Sequence, residues 1–240
     1  MERRLLSLNL KGLPEYIQYL DRHPEEYNKF VEHNTIKVSG FCRCPRTFEQ
    51  MAKLVLPEMV AHKRSRGERS LQFWSAACAR GEEAYSITIM LDMSLGGSKS
   101  EFDVRVCGSD VSRRSLSAAR EGIYFAEDIQ KFPAELRSRY FTQCGQGYLI
   151  DPDIQKMTDF ACYDLTSCAP PPIKNPDCIF CCNVLIYWQR ELQAEVLGRL
   201  CEALAVPGYL VLGEVETPTP NVVGRLDCID SKAKIYKKVR

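Results

Sequence analysis

Residues 74–86, WSAACARGEEAYS, hold the densest set of side chains able to do chemistry in this chain. They lie between LQF, an apolar run suited to a strand, and ITIMLDMSL, which has helical spacing. The segment is therefore the first strand-to-helix turn of an α/β domain, where such folds meet a ligand. A phosphate-bearing ligand asks for glycines there, so that backbone N–H groups can approach it. This turn has a single glycine, Gly81, followed by two carboxylates, Glu82 and Glu83. Acids at a helix start repel an anion and attract a cation.

The other strand ends repeat the pattern. FDVRVCGSD ends in Asp110, MTDFACYDL carries Asp164, and DCIFCCN ends in Asn183. Ligands of an open parallel sheet sit beyond the carboxyl ends of its strands, so four acids and one amide face one place. S-adenosylmethionine, with its ammonium and sulfonium, suits that lining. Asp110 is placed for two ribose hydroxyls and Asp164 for the adenine amino group. Each acid also has a plainer reading: first-turn capping for Glu82 and Glu83, a helix N-cap for Asp110. Their coincidence at strand ends favours the cofactor.

The elements that must position these residues follow from periodicity. Residues 1–36 form a small helical module, with Tyr16, Tyr19 and Leu20, then Tyr27, Phe30 and Val31, at helical intervals. Pro14 and Pro24 fit helix starts. Residues 37–46 are a linker with a turn at Gly40 and a stop at Pro45. Residues 47–240 form the main domain. Its first helix spans 46–63, with Phe48, Met51, Ala52, Val55 and Met59 inward. Strands and helices then alternate, which predicts a doubly wound parallel sheet with an antiparallel hairpin at its edge. Residues of about 140–157, YFTQCGQGYLIDPDIQKM, break that rhythm and predict a small antiparallel insert.

The bulk numbers bound the function. The 240 residues are 45% hydrophobic and 26% charged, with net charge +1. That balance gives no global field for nucleic acid or an acidic membrane, and no basic aromatic groove is evident. No apolar run approaches the ~18 residues that span a bilayer. MERRLLSLNLKGLPEY lacks a signal-peptide core, so a cytoplasmic protein is expected, its 12 cysteines reduced. Cys178 and Cys181 have metal-site spacing, but on a strand they point to opposite faces, so no metal is expected. His23, His33 and His62 all precede the sheet and read as surface or packing residues.

WSAACARGEEAYSI, GSDVSRRSLSAAREGIY, FCCNVLIYW and PGYLVLGEVET, preceded by IKVSGFCRCPRTFEQM, together resemble the CheR-type chemotaxis receptor methyltransferases. The blocks run in family order from about Leu5 to the C-terminus. The resemblance implies an N-terminal helical domain, a linker, and a Rossmann-like methyltransferase domain carrying a small β-subdomain. It implies S-adenosylmethionine as cofactor, S-adenosylhomocysteine as its product, and O-methylation of glutamates on the cytoplasmic domain of chemoreceptors. The acceptor is already anionic, so direct in-line transfer without a general base is expected. By position, Ser39 and Arg43 close over the cofactor and face its methyl group. Glu83 takes its amino group and Asp110 its ribose. Asp164 and Leu165 lie along the adenine, Asn183 and Val184 line the floor, and Tyr187 stands near the methyl.

Without the resemblance, Arg43 also reads as a linker arginine capping a helix or pairing with Glu49, and Tyr187 as a core aromatic beside Trp188. Four positions depart from the family. Cys42 replaces an aromatic, Cys182 an arginine and Lys37 an asparagine, and Asp164 is asparagine in many members. A catalytically weak regulatory module, or a methyltransferase for another substrate, stays open. The short TQCGQGYL loop implies the tether-independent kind, and a monomer is expected. Receptor-facing cations are sought at Arg3, Arg4 and Lys11, or at Lys63, Arg64, Arg66 and Arg69; the second group also reads as a solvated loop.

Overall fold

A computed structural model describes residues 2–34 and 39–240. The expected junction at residues 36 and 37 lies outside the described residues, as do Lys37 and the side chains of Arg3, Val31 and His33.

The strands are β1 (Ser70–Ala76), β2 (Asp103–Asp110), β3 (Ile123–Tyr124), β4 (Phe141–Cys144), β5 (Gly147–Ile150), β6 (Thr158–Cys162), β7 (Cys178–Cys181), β8 (Gly208–Leu212), β9 (Leu226–Asp230) and β10 (Ile235–Lys238). One seven-stranded sheet has the order β6-β2-β1-β7-β8-β10-β9. Its first five strands run parallel, and β10 and β9 form the expected antiparallel edge. The strand order reverses between β1 and β7, which opens a crevice beyond their carboxyl ends.

β7 and β8 are buried at every position, as central parallel strands covered on both faces must be. Cys178 and Phe180 join the core under residues 45–65 and helix Glu82–Leu95, while Ile179 and Cys181 join the core under helix Arg190–Ala203. Strand alternation therefore separates the two thiols, as the sequence predicts.

The helix expected over 46–63 is Pro45–Gln50, a π turn at Met51–Val55, and Leu56–Ser65. Pro57 accounts for the interruption: it has no N–H, and its ring crowds the carbonyl four residues back. A widened turn before it makes room. The five residues expected inward all pack on the core.

A second sheet, β3-β5-β4, is antiparallel. β4 and β5 fall in the expected insert, whereas β3 comes from upstream and, at two residues, is too short to leave a sequence signal. Its aromatic cluster gathers Tyr124, Phe132 and Phe141 around Phe41 of the linker. In the N-terminal helices Leu13–Arg22 and Pro24–Asn34, the prolines occupy first turns and Tyr16 and Leu20 are buried. Tyr27 is 47% exposed rather than inward. Glu26 takes the inward direction instead, to receive Arg4 and the Tyr16 hydroxyl, and the next helical residue is turned about 100° away. Among the described residues, no helix is long and apolar enough to cross a membrane, and no three His, Cys, Asp or Glu side chains form a metal site.

Candidate functional site

The turn after β1 is built from strained backbone. Gly81 has φ 88°, and a Cβ there would lie 2.9 Å from the Ala119 Cβ. Only glycine lets helix Glu82–Leu95 start this close to helix Arg113–Glu121. Ala77 and Ala79 also have positive φ, 64° and 48°, at about 1 kcal/mol or more each. Cross-links hold them: Cys78 N–H donates to the Ser109 carbonyl at 2.8 Å, and Ala79 N–H to Asp110 Oδ2 at 2.9 Å. Asp110 Oδ1 accepts from Ser112 N–H. Ser112, not Asp110, caps the following helix. Asp110 ties the β1 turn to the end of β2.

Glu83 Oε1 accepts a 2.7 Å hydrogen bond from Ser75 of β1. Burial pushes the Glu83 carboxyl from 4.5 up to about 7; hydrogen bonds from Ser75 and Cys182 oppose the rise, Glu216 adds to it, and Arg43 opposes it. Glu82 differs. It is 3% exposed, and its Oε2 has no hydrogen-bond partner. Burial raises its carboxyl too, against a backbone hydrogen bond, the charge of Arg80 and a hydrogen bond with Ser39.

The loop after β7 turns at Asn183, φ 61°. Buried Glu216 fixes it by accepting from the N–H groups of Asn183, Leu185 and Gly213 at 2.7–2.8 Å. A Cβ on Gly213 would meet Glu216 Oε2 at 2.7 Å and Asn183 N at 2.8 Å, so glycine is required for this reach. Sequence reasoning gives Glu216 no role, although it lies in the quoted block PGYLVLGEVET. Ser75, Cys44 and Tyr163 were likewise not singled out.

The linker is bolted down at several points. Phe41 is fully buried, edge-on to Tyr124 at 4.8 Å and to Phe141 at 5.4 Å. Cys42 N–H donates to Ser86 Oγ at 2.9 Å, and Thr47 Oγ1 to the Ala233 carbonyl at 3.0 Å.

These elements enclose a cavity of ≈ 370 Å³. The linker gives it Ser39 and Arg43; the β1 turn gives Glu83 and β2 gives Asp110. The loop after β6 gives Asp164 and Leu165, the β7 loop Asn183 and Val184, and the 3₁₀ turn Leu185–Tyr187 gives Tyr187. The structure thus brings the nine residues named from sequence to the lining of one cavity. Asp164 is exposed, with Oδ1 held by the Thr166 N–H and hydroxyl. Tyr187 is 51% exposed, which removes the core-aromatic reading. Cys182 also lines the cavity, and its thiol donates to the Val211 carbonyl at 3.8 Å.

The cations expected to face a receptor are largely committed elsewhere. Arg4 pairs with buried Glu26. Lys63 pairs with Asp177 and Glu68, Arg64 and Arg69 with Glu101, and Arg66 with Glu68. Glu68 lies within the same run, whereas Asp177 and Glu101 are remote in sequence and reach these cations only through folding.

A doubly wound sheet whose rim offers carboxylates rather than a glycine-rich phosphate cradle is a Rossmann-like frame suited to a cationic cofactor, the class to which S-adenosylmethionine-dependent methyltransferases belong. A family model described as "CheR methyltransferase, SAM binding domain" matches residues 37–235. The chain belongs to the CheR methyltransferase family, and its cofactor is S-adenosylmethionine. Chemotaxis protein methyltransferase 2 of Pseudomonas aeruginosa is 32% identical over 223 residues, covering 90% of this chain and 76% of that protein. The chemotaxis protein methyltransferase of Escherichia coli K12 is 31% identical over 223 residues, covering 89% and 73%. An uncharacterized 104.1 kDa protein of Rhodobacter capsulatus is 31% identical across 100% of this chain, which spans 25% of it. The lining fits the cofactor's chemistry: Glu83, Asp110 and Asp164 offer acceptors, and Arg43 is the one Lys or Arg among the described lining residues.

Proposed function

We propose that this protein transfers a methyl group to glutamate side chains of chemoreceptor cytoplasmic domains, giving glutamyl methyl esters. The observation that carries the reading is the meeting in one cavity of Glu83 and Asp110 from the sheet rim with Arg43 from the linker. In this reading residues 37–46 are the linker and 47–240 the catalytic domain. When bound, S-adenosylmethionine supplies a methyl group on a positively charged sulfur. Glu83 would hold the ammonium, Asp110 the ribose hydroxyls, Asp164 and Leu165 the adenine edge, and Asn183, Val184 and Ser39 the remaining walls.

The acceptor, an ordinary glutamate with pKa of about 4.3, is an anion at neutral pH and needs no base. The chain's task is to orient it. Arg43 guides the incoming carboxylate, and Tyr187 at the half-open mouth orients it toward the interior. Arg43 also acts on Glu83 electrostatically, so one cation serves both the cofactor wall and the acceptor path. The linker's hold through Phe41 and Cys42 keeps Arg43 on the cavity despite the loss of an aromatic at position 42.

The test is transfer of labelled methyl from S-adenosylmethionine to a receptor cytoplasmic fragment. The expected product is a base-labile ester on glutamate. Cofactor uptake with no label on any matched receptor would favour a regulatory module, and base-stable label would move the reaction to another acceptor.

A further inference from the structure

We propose that the cavity mouth is a docking surface for an acidic protein segment, with Arg190 and Lys131 pairing carboxylates that flank the accepting glutamate. The inference rests on the reading above, that a protein glutamate is the acceptor.

The 3₁₀ turn Leu185–Tyr187 stands between two concavities. Tyr187 lines the main cavity, while Leu185 and Ile186 line a second of ≈ 160 Å³, together with Arg190, Gln193 and Val215. Ile186 is 47% exposed, Tyr187 51% and Val215 76%. Three apolar side chains on one rim give a contact surface, and a cation beside them gives it a sign.

Arg190 opens helix Arg190–Ala203, is exposed, and has no ion pair or hydrogen bond among the described residues. Gln189 before it gives no side-chain cap, so the helix start adds to the positive end. Glu216 also lines this pocket, but its two oxygens are occupied by three backbone N–H groups. On the linker side, Lys131 Nζ lies 4.0 Å from where a Gly40 Cβ would be, and Gly40 lines the main cavity. Lys131 is exposed and has no ion pair among the described residues. Residues 63–69 spend their cations on neighbouring acids, whereas Arg190 and Lys131 keep theirs. Among the described residues, the one exposed acid whose charge reaches the lining at Cys44 is Glu214 on the loop after β8, which leaves two cations to one anion for a partner. That complementarity selects a negatively charged protein segment.

The test uses the full chain, S-adenosylmethionine, and a receptor fragment that the wild type labels. For Arg190→Glu combined with Lys131→Glu, kcat/KM falls by about tenfold or more, carried by KM, and its salt dependence flattens. Cofactor affinity by calorimetry stays within about twofold, since neither residue lines the cofactor wall. A fragment whose acids flanking the labelled glutamate are changed to lysine reverses the order, serving the double variant better than the wild type. Unchanged KM and salt dependence in the double variant overturn the docking surface while leaving the methyl-transfer reading standing. A wild type that labels nothing overturns that reading, and the docking surface with it.

Discussion

Glu83 shows how one side chain can set both binding and stability. Its carboxyl is pushed from 4.5 up to about 7, chiefly through burial. A bound ammonium favours the charged form, so below pH 7 cofactor binding must expel a proton. Affinity is therefore greatest between about pH 7 and the range where the cofactor's own ammonium, an α-amino group of pKa about 8, loses its proton, and it falls by about tenfold per unit below pH 7. Calorimetry across that range checks the profile, and Glu83→Gln both weakens binding and flattens it. The folded-state value is raised, so the stabilising contribution of the protonated group is fully present below 4.5 and is lost as pH rises through 7. Ionised Glu83 thus costs the fold up to about 3 kcal/mol. Glu83→Gln should accordingly raise the melting temperature above pH 7 while abolishing tight cofactor binding. Arg43→Ala is the complementary case: turnover falls by about a hundredfold through lost acceptor alignment, with only modest loss of cofactor affinity. The acids of the site were legible because strand ends converge by topology. Glu216 was not, because its partners are backbone N–H groups, and no residue type announces which carboxylate will fold back on them.

Residues 39–44 connect the inserted sheet to the cavity. Phe41 sits in the insert's aromatic cluster two residues before Arg43. Anchoring one residue thereby fixes where the other is presented. Phe41→Ala removes edge-on contacts to two rings and leaves a cavity, at a cost of about 3–5 kcal/mol. The expected outcome is a lower melting temperature and a kcat that drops more than cofactor affinity does. Phe41→Leu, which refills most of the volume, should recover the larger part of kcat; equal losses of kcat and cofactor affinity in both variants would assign Phe41 to stability alone. The parallel strands and the helical stretch expected over 46–63 were readable from periodicity, whereas the order of the strands across the sheet was not, because pairing partners leave no periodic signal. The π turn came from Pro57, a single residue inside an otherwise regular apolar pattern. β3 went unread because two residues carry no alternation.

At the scale of the molecule, a net charge of +1 conceals where cations are already spent. The basic run HKRSRGERS looks like a docking patch in sequence because Asp177 and Glu101 are distant along the chain. Folding brings them in. Lys63 Nζ meets Asp177 Oδ1 at 2.7 Å, and Asp177 Oδ2 accepts from Gln72 N–H of β1 at 2.9 Å. Asp177 is 4% exposed, so Lys63 neutralises a buried carboxylate at the start of β7. The two halves of this loop should therefore respond differently. Lys63→Met strands Asp177, and removing one partner of a buried pair costs about 3–5 kcal/mol; a chemical-denaturation midpoint measures it, and Asp177→Asn in the same chain should return part of the loss. Arg64, Arg66 and Arg69 pair in the open, where such bridges contribute about 0–1 kcal/mol each. Changing all three to glutamine should move stability little and leave the KM for a receptor fragment within about twofold. A large KM increase in that triple variant would return receptor recognition to this loop. The outcome expected instead places recognition at the cavity mouth, because a cation already neutralised within the fold has little attraction left to offer a partner.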